Sequence, residues 1–117
     1  MRRILCPYCG KPADHVRNQW GVKYECVPCD ARVGCRRGTD IPLGTLANAE
    51  LRQWRIRAHE AFDRLWQQYE ISRSRAYRWL SEQMQIKPHQ CHIGQFNIEQ
   101  CRMAVQIAKD HHHYLQE

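Results

Sequence analysis

Two hydrophobic rhythms divide the chain. In the first 39 residues the apolar positions are short runs and alternations around the cysteines. Trp20, Val22 and Tyr24 are separated by Gly21, Lys23 and Glu25, the period-2 pattern of a hairpin strand. From Thr45 onward the spacing changes to three and four. Leu51, Trp54, Ala58, Phe62, Leu65 and Tyr69 predict one amphipathic helix from Thr45 to Tyr69. Arg52, Arg55, Glu60 and Arg64 fall on its other side and read as a solvated face of mixed sign, with phosphate contact by Arg52 and Arg55 as the alternative. A second helix is predicted to open at the N-cap Ser72 and to bury Ala76, Leu80 and Met84, with Arg73, Arg75 and Arg78 interleaved with Tyr77 and Trp79. A third is predicted behind the cap Asn97, with Phe96 and Cys101 as a hydrophobic staple. Its apolar face is Ile98, Cys101, Val105 and Ala108, and it frays near His111-His112-His113.

Between the two rhythms, Arg36 to Gly44 carries two glycines and a proline, the breakers of a connecting loop. The link from Gln85 to Phe96 is too long for the turn of about 3–4 residues in a helix-turn-helix. The patterning therefore predicts an α+β fold. A β-rich head over residues 1–39 packs with about three helices over residues 45–117 in a single compact domain.

Size agrees with that reading. The chain has 117 residues, 43% of them apolar and 26% charged, too few for separate cofactor and substrate lobes. It holds no apolar run of about 18 residues, and the charged start Met1-Arg2-Arg3 lacks the apolar core of a signal peptide. A cytoplasmic protein without membrane contact is the expectation. The net charge of +6 is unevenly spread: residues 1–39 carry eight Lys and Arg against three Asp and Glu, whereas residues 91–117 carry two against three. The basic end is also the cysteine-rich end.

That end carries the strongest motif. Cys6-Pro7-Tyr8-Cys9 and Cys26-Val27-Pro28-Cys29 are two Cys-x-x-Cys units with sixteen residues between them, the spacing of a four-cysteine zinc site. Each pair bends into a knuckle, and the intervening hairpin carries the second back to the first. Four thiolates leave no coordination position for water, so one structural Zn2+ is expected. Zinc and its thiolates together would lower the net charge to about +4.

The remaining chemistry is more scattered. Cys35, His59, Cys91, His92 and Cys101 are of metal-binding or acid–base types; His59, Cys91 and His92 form a candidate second polar site, against the plainer reading of buried thiols and a hydrogen-bonded helix histidine. His59 and Asp63 lie one helical turn apart, the spacing of a base and its orienting carboxylate in a metal-dependent nuclease and equally of an ordinary surface pair.

Taken in order, Cys6-Pro7-Tyr8-Cys9-Gly10, the second Cys-x-x-Cys, Val33-Gly34-Cys35, Gly38-Thr39-Asp40, Pro42-Leu43-Gly44-Thr45-Leu46-Ala47, Leu51-Arg52, Ala58-His59, Phe62-Asp63, Leu65-Trp66, Ala76-Tyr77-Arg78-Trp79-Leu80 and Cys91-His92-Ile93-Gly94-Gln95-Phe96 resemble the zinc-finger-containing domain family common in phage and prophage genomes. The resemblance spans nearly the whole chain. It implies a zinc ribbon with helices, encoded by a phage or prophage and acting in the bacterial cytoplasm, and it implies no reaction. The family pattern tends to carry a His before the Gly-Thr step, where Arg36-Arg37 precede Gly38 here. That departure weakens a second metal site.

The leading functional expectation is a binding module. Arg2, Arg3, Lys11, Arg17, Lys23, Arg32, Arg36 and Arg37 on the ribbon would contact nucleic-acid phosphates. The alternative is an adaptor docking on a host or phage protein through Trp20, Trp54, Trp66 and Trp79, residues that could equally be core. A small-molecule substrate is not expected.

Overall fold

In the computed structural model, residues 3–115 are described, with side chains through His111. The chain divides into two compact units, Met1–Arg52 and Gln53–Glu117.

The first unit is built on an antiparallel sheet in the order β1 (Asp14–Asn18), β2 (Gly21–Cys26), β3 (Ala31–Gly34). Asn18 pairs with Gly21, so Gln19 and Trp20 form a two-residue hairpin loop. The Asn18 side chain closes it by accepting the Trp20 N–H at 2.9 Å, and Gly21 supplies a φ of +124°. The predicted period-2 strand is β2, with Tyr24 fully buried. Trp20, however, lies in the turn and is 84% exposed, because a hairpin loop has no inner face.

Residues 36–47, read above as mostly connecting loop, are tied to the sheet. Arg32 and Ala47 exchange both backbone hydrogen bonds, and Cys35 bridges Pro42. Between these contacts Arg36 to Thr39 forms a tight turn. The Arg36 carbonyl accepts the Thr39 N–H at 2.9 Å and its hydroxyl at 2.8 Å, and Gly38 takes φ +75°, the left-handed third position of a type II turn. The apolar cluster of this unit is small: Cys6, Tyr24, Cys26, Ala31 and Leu46.

The helices are α1 (Ala49–Gln68), α2 (Arg73–Met84) and α3 (Ile98–Leu115). Helix α1 begins four residues later than the spacing predicts, because Asn48 caps it with its Oδ1 accepting the Leu51 N–H at 3.0 Å. Ser72 and Asn97 cap α2 and α3 as expected. Asn97 forms a full capping box with Gln100, at 2.8 and 3.0 Å. The link between α2 and α3 holds two short 3-10 turns, Pro88–Gln90 and Ile93–Gln95.

In the second unit the core is Phe62, Leu65, Leu80, Ile93 and Phe96 with the alanines and thiols between them. Ala76, Leu80 and Met84 are buried as the pattern requires, whereas Tyr69 is exposed and Trp54 is only half-buried. Arg55 corrects the reading of a solvated face. It is buried, and its Nε donates to the Phe96 carbonyl at 3.1 Å. Its place in the sequence, four after Leu51 and three before Ala58, is a core position. No helix among the described residues is long and apolar enough to cross a membrane.

Candidate metal centre

The metal site is made by two hairpin loops of similar construction. In the first, the Cys6 carbonyl accepts the Gly10 N–H and the Cys6 N–H donates to the Lys11 carbonyl, both at 2.8 Å. In the second, which joins β2 to β3, the Asp30 N–H donates to the Val27 carbonyl at 3.1 Å. The residue after the last cysteine of each pair is left-handed: Gly10 at φ +75° and Asp30 at φ 49°. Glycine adopts that conformation freely and Asp is among the few other residues that tolerate it.

These loops bring four sulfurs together. The Sγ atoms of Cys6, Cys9, Cys26 and Cys29 all lie within 4.8 Å of one another, and those of Cys9 and Cys26 are 3.7 Å apart. A tetrahedron with Zn–S bonds of about 2.3 Å has edges of about 3.8 Å, so the cage fits zinc. The thiols also interact strongly. Burial pushes Cys6 up, but the backbone N–H groups of Tyr8 and Cys9 and the neighbouring thiols override it and bring Cys6 down to about 7. Cys29 goes the other way, pushed up to about 12, first by its hydrogen bond with Cys26 and then by burial. Four thiolates at such short range repel one another, so ionising all of them demands a cation. A divalent ion supplies it, and four sulfur ligands complete its coordination.

Side chains around the cage hold the loops in place. The Tyr8 hydroxyl accepts the Asn48 N–H at 3.0 Å. Arg52 donates to the carbonyls of Asp30 and Ala47 at 2.6 and 2.9 Å and lies 3.3 Å from the Asp30 carboxylate. Arg52 is therefore a brace for the second knuckle, a role that helical spacing could not reveal because its partners are 5 and 22 residues away.

The basic residues of the ribbon differ in their surroundings. Arg17, Arg36 and Arg37 line a groove together with Asn18, Trp20 and Cys35, and no acidic residue lines it. Asp40 stands nearby, 3.7 Å from Arg17 and 2.8 Å from His15 Nε2. Lys23 lies 3.1 Å from Glu25; Arg3, Lys11 and Arg32 are exposed, and Arg2 lies outside the described residues.

The candidate second site is not drawn together in the same way. Among the described residues no other set of three metal-ligating side chains converges. Cys91 is fully buried while its neighbour His92 is exposed, with its ring 5.7 Å from that of Tyr77. Burial pushes the Cys91 and Cys101 thiols up to about 11, so both are inert apolar fillers. Cys35 is also raised by burial and stands outside the zinc cage. Burial lowers His59 against the opposing pull of Asp63, and Asp63 accepts the Trp66 Nε1–H at 2.9 Å.

The zinc-finger-containing domain model matches residues 2–111, and the chain belongs to that family. No curated protein and no solved structure matches the chain. The four-cysteine cage and the family together establish a structural zinc-binding module.

Proposed function

We propose that this zinc-finger-containing domain is a nucleic-acid-binding module of phage or prophage origin, with its zinc-fixed ribbon as the contact surface. The observation that carries the reading is the groove lined by Arg17, Arg36 and Arg37 with no acidic residue in its wall. Two guanidiniums on the Arg36–Thr39 turn and one on β1, that of Arg17, which already lies 3.7 Å from Asp40, form an array of phosphate donors of a type able to bind two oxygens at once. The zinc has no catalytic part in this reading. It ties down the knuckle loops at the Cys26 end of β2, while the Asn18–Gly21 and Arg36–Thr39 turns that flank the groove are fixed by their own hydrogen bonds, which reduces the ordering cost of binding. Charge alone would make recognition largely independent of sequence.

The test is a salt titration of the zinc-loaded protein with labelled single- and double-stranded DNA and RNA. Three phosphate contacts on a single strand give a log–log slope of about −2, and Arg36→Ala with Arg37→Ala brings it to about −0.7 with weaker binding. Absence of binding at low salt, or an unchanged affinity and slope in the double variant, overturns the proposal.

A further inference from the structure

Trp20 is the residue that the phosphate reading leaves unused. Three of its surroundings bear on its role. It is 84% exposed, at the end of a two-residue hairpin loop whose backbone is pinned by Asn18 and Gly21. It lines the same groove as Arg17, Arg36 and Arg37. Gly21 and Gly38 also line it, and a Cβ built on either meets nothing within 4 Å, so no neighbouring atom crowds the groove at these positions. A large apolar ring held in water beside three guanidiniums is the pairing that single-stranded nucleic-acid sites use, with the base on the ring and the phosphates on the cations. A duplex stacks its bases against each other and offers such a ring no free face.

We infer that the ribbon groove takes single-stranded nucleic acid, one base stacking on Trp20 while Arg17, Arg36 and Arg37 hold the flanking phosphates. This rests on the nucleic-acid reading and narrows it to a strand type and a contact residue. Because the loop is already hydrogen-bonded, stacking orders little more than the indole itself. Because every base has a π-face, the site is tolerant of sequence.

The experiment uses the full zinc-loaded chain, a fluorescein-labelled oligo-dT and a duplex of equal length. Trp20→Ala is expected to weaken oligo-dT binding about tenfold or more, Trp20→Phe to retain most of it, and neither to change duplex binding by more than about twofold. The salt slope should stay as in the native protein, since no phosphate contact is removed. Zinc content of one per chain checks the fold of both variants. If Trp20→Ala binds oligo-dT as well as the native chain, or loses duplex and oligo-dT alike, the inference fails. Loss of affinity in Arg36→Ala with Arg37→Ala would then leave the broader reading standing. If the native chain binds neither probe at low salt, both fail.

Discussion

The ribbon and the helical unit solve the same problem with different means. The ribbon's apolar cluster has five buried members, Cys6, Tyr24, Cys26, Ala31 and Leu46, with five small or partly buried residues packed against it, and three of the ten, Cys6, Cys26 and Cys29, are also zinc ligands. The helical unit instead buries Phe62, Leu65, Leu80, Ile93 and Phe96 on the faces of its helices and the turns between them. A core as small as the ribbon's cannot offset the entropy of ordering about fifty residues, so the metal must supply the balance. Hydrophobic burial serves the same purpose in residues 53–117. The two units should therefore fail by different routes.

Zinc removal is the largest way to test it. A structural zinc contributes about 10–16 kcal/mol of apparent binding free energy, more than a ribbon of this size has in reserve. Chelation, or Cys26→Ser, should expose the amides of β1, β2 and β3 to rapid hydrogen exchange while α2 and α3 keep their protection. If the helix amides lost protection in step with the strands, the contrast would break and the chain would unfold as one. The reverse experiment is Phe62→Ala. The ring is fully buried and packs 4.8 Å from Tyr77, so its loss should cost the helical unit about 3–5 kcal/mol in urea unfolding followed by helical circular dichroism. Bound zinc should remain at one per chain; its loss would show that the ribbon depends on that core.

The same contrast governs what could be read in advance. The zinc cage was legible to the residue because a knuckle is a local object: two cysteines two apart, a turn-forming residue behind them, and a hairpin between. Helices α2 and α3 were legible through their caps, Ser72 and Asn97, and the strand β2 through its alternation. What escaped was set by contacts distant in sequence. The start of α1 depends on Asn48, itself held by Tyr8, 40 residues away. Trp20 reads as a strand residue until Asn18 and Gly21 are recognised as the ends of a two-residue loop. Arg55 reads as surface by its charge, although its spacing from Leu51 and Ala58 places it on the buried face.

Arg55 gives the next test in size. Arg55→Ala removes the donor to the Phe96 carbonyl just ahead of α3, and should cost about 1–3 kcal/mol; Arg55→Met, which keeps the packing of the stem, should cost less. A surface arginine would show neither loss. Equal costs for the two variants would assign the whole effect to the hydrogen bond and none to packing.

The smallest effect separates the units by pH. In the helical unit, burial holds His59 below its ordinary value. As pH falls below about 6.5 the unfolded chain takes up a proton that the folded chain resists, so stability is full above that pH and declines beneath it until the lowered folded value is passed. In the ribbon, the hydrogen bond from His15 lowers Asp40, with the nearby Arg17 acting in the same direction. Its contribution is present above about 3.9 and disappears as pH falls through the lowered folded value. The helical unit should therefore begin to weaken two to three pH units, roughly, before Asp40 gives way. Urea midpoints of His59→Gln against the native chain check the first window: the variant should lose the slope that sets in below about pH 6.5 and keep the rest. An unchanged slope would mean that the folded chain accepts the proton on His59 as readily as the unfolded one, and that the histidine behaves as surface despite its burial.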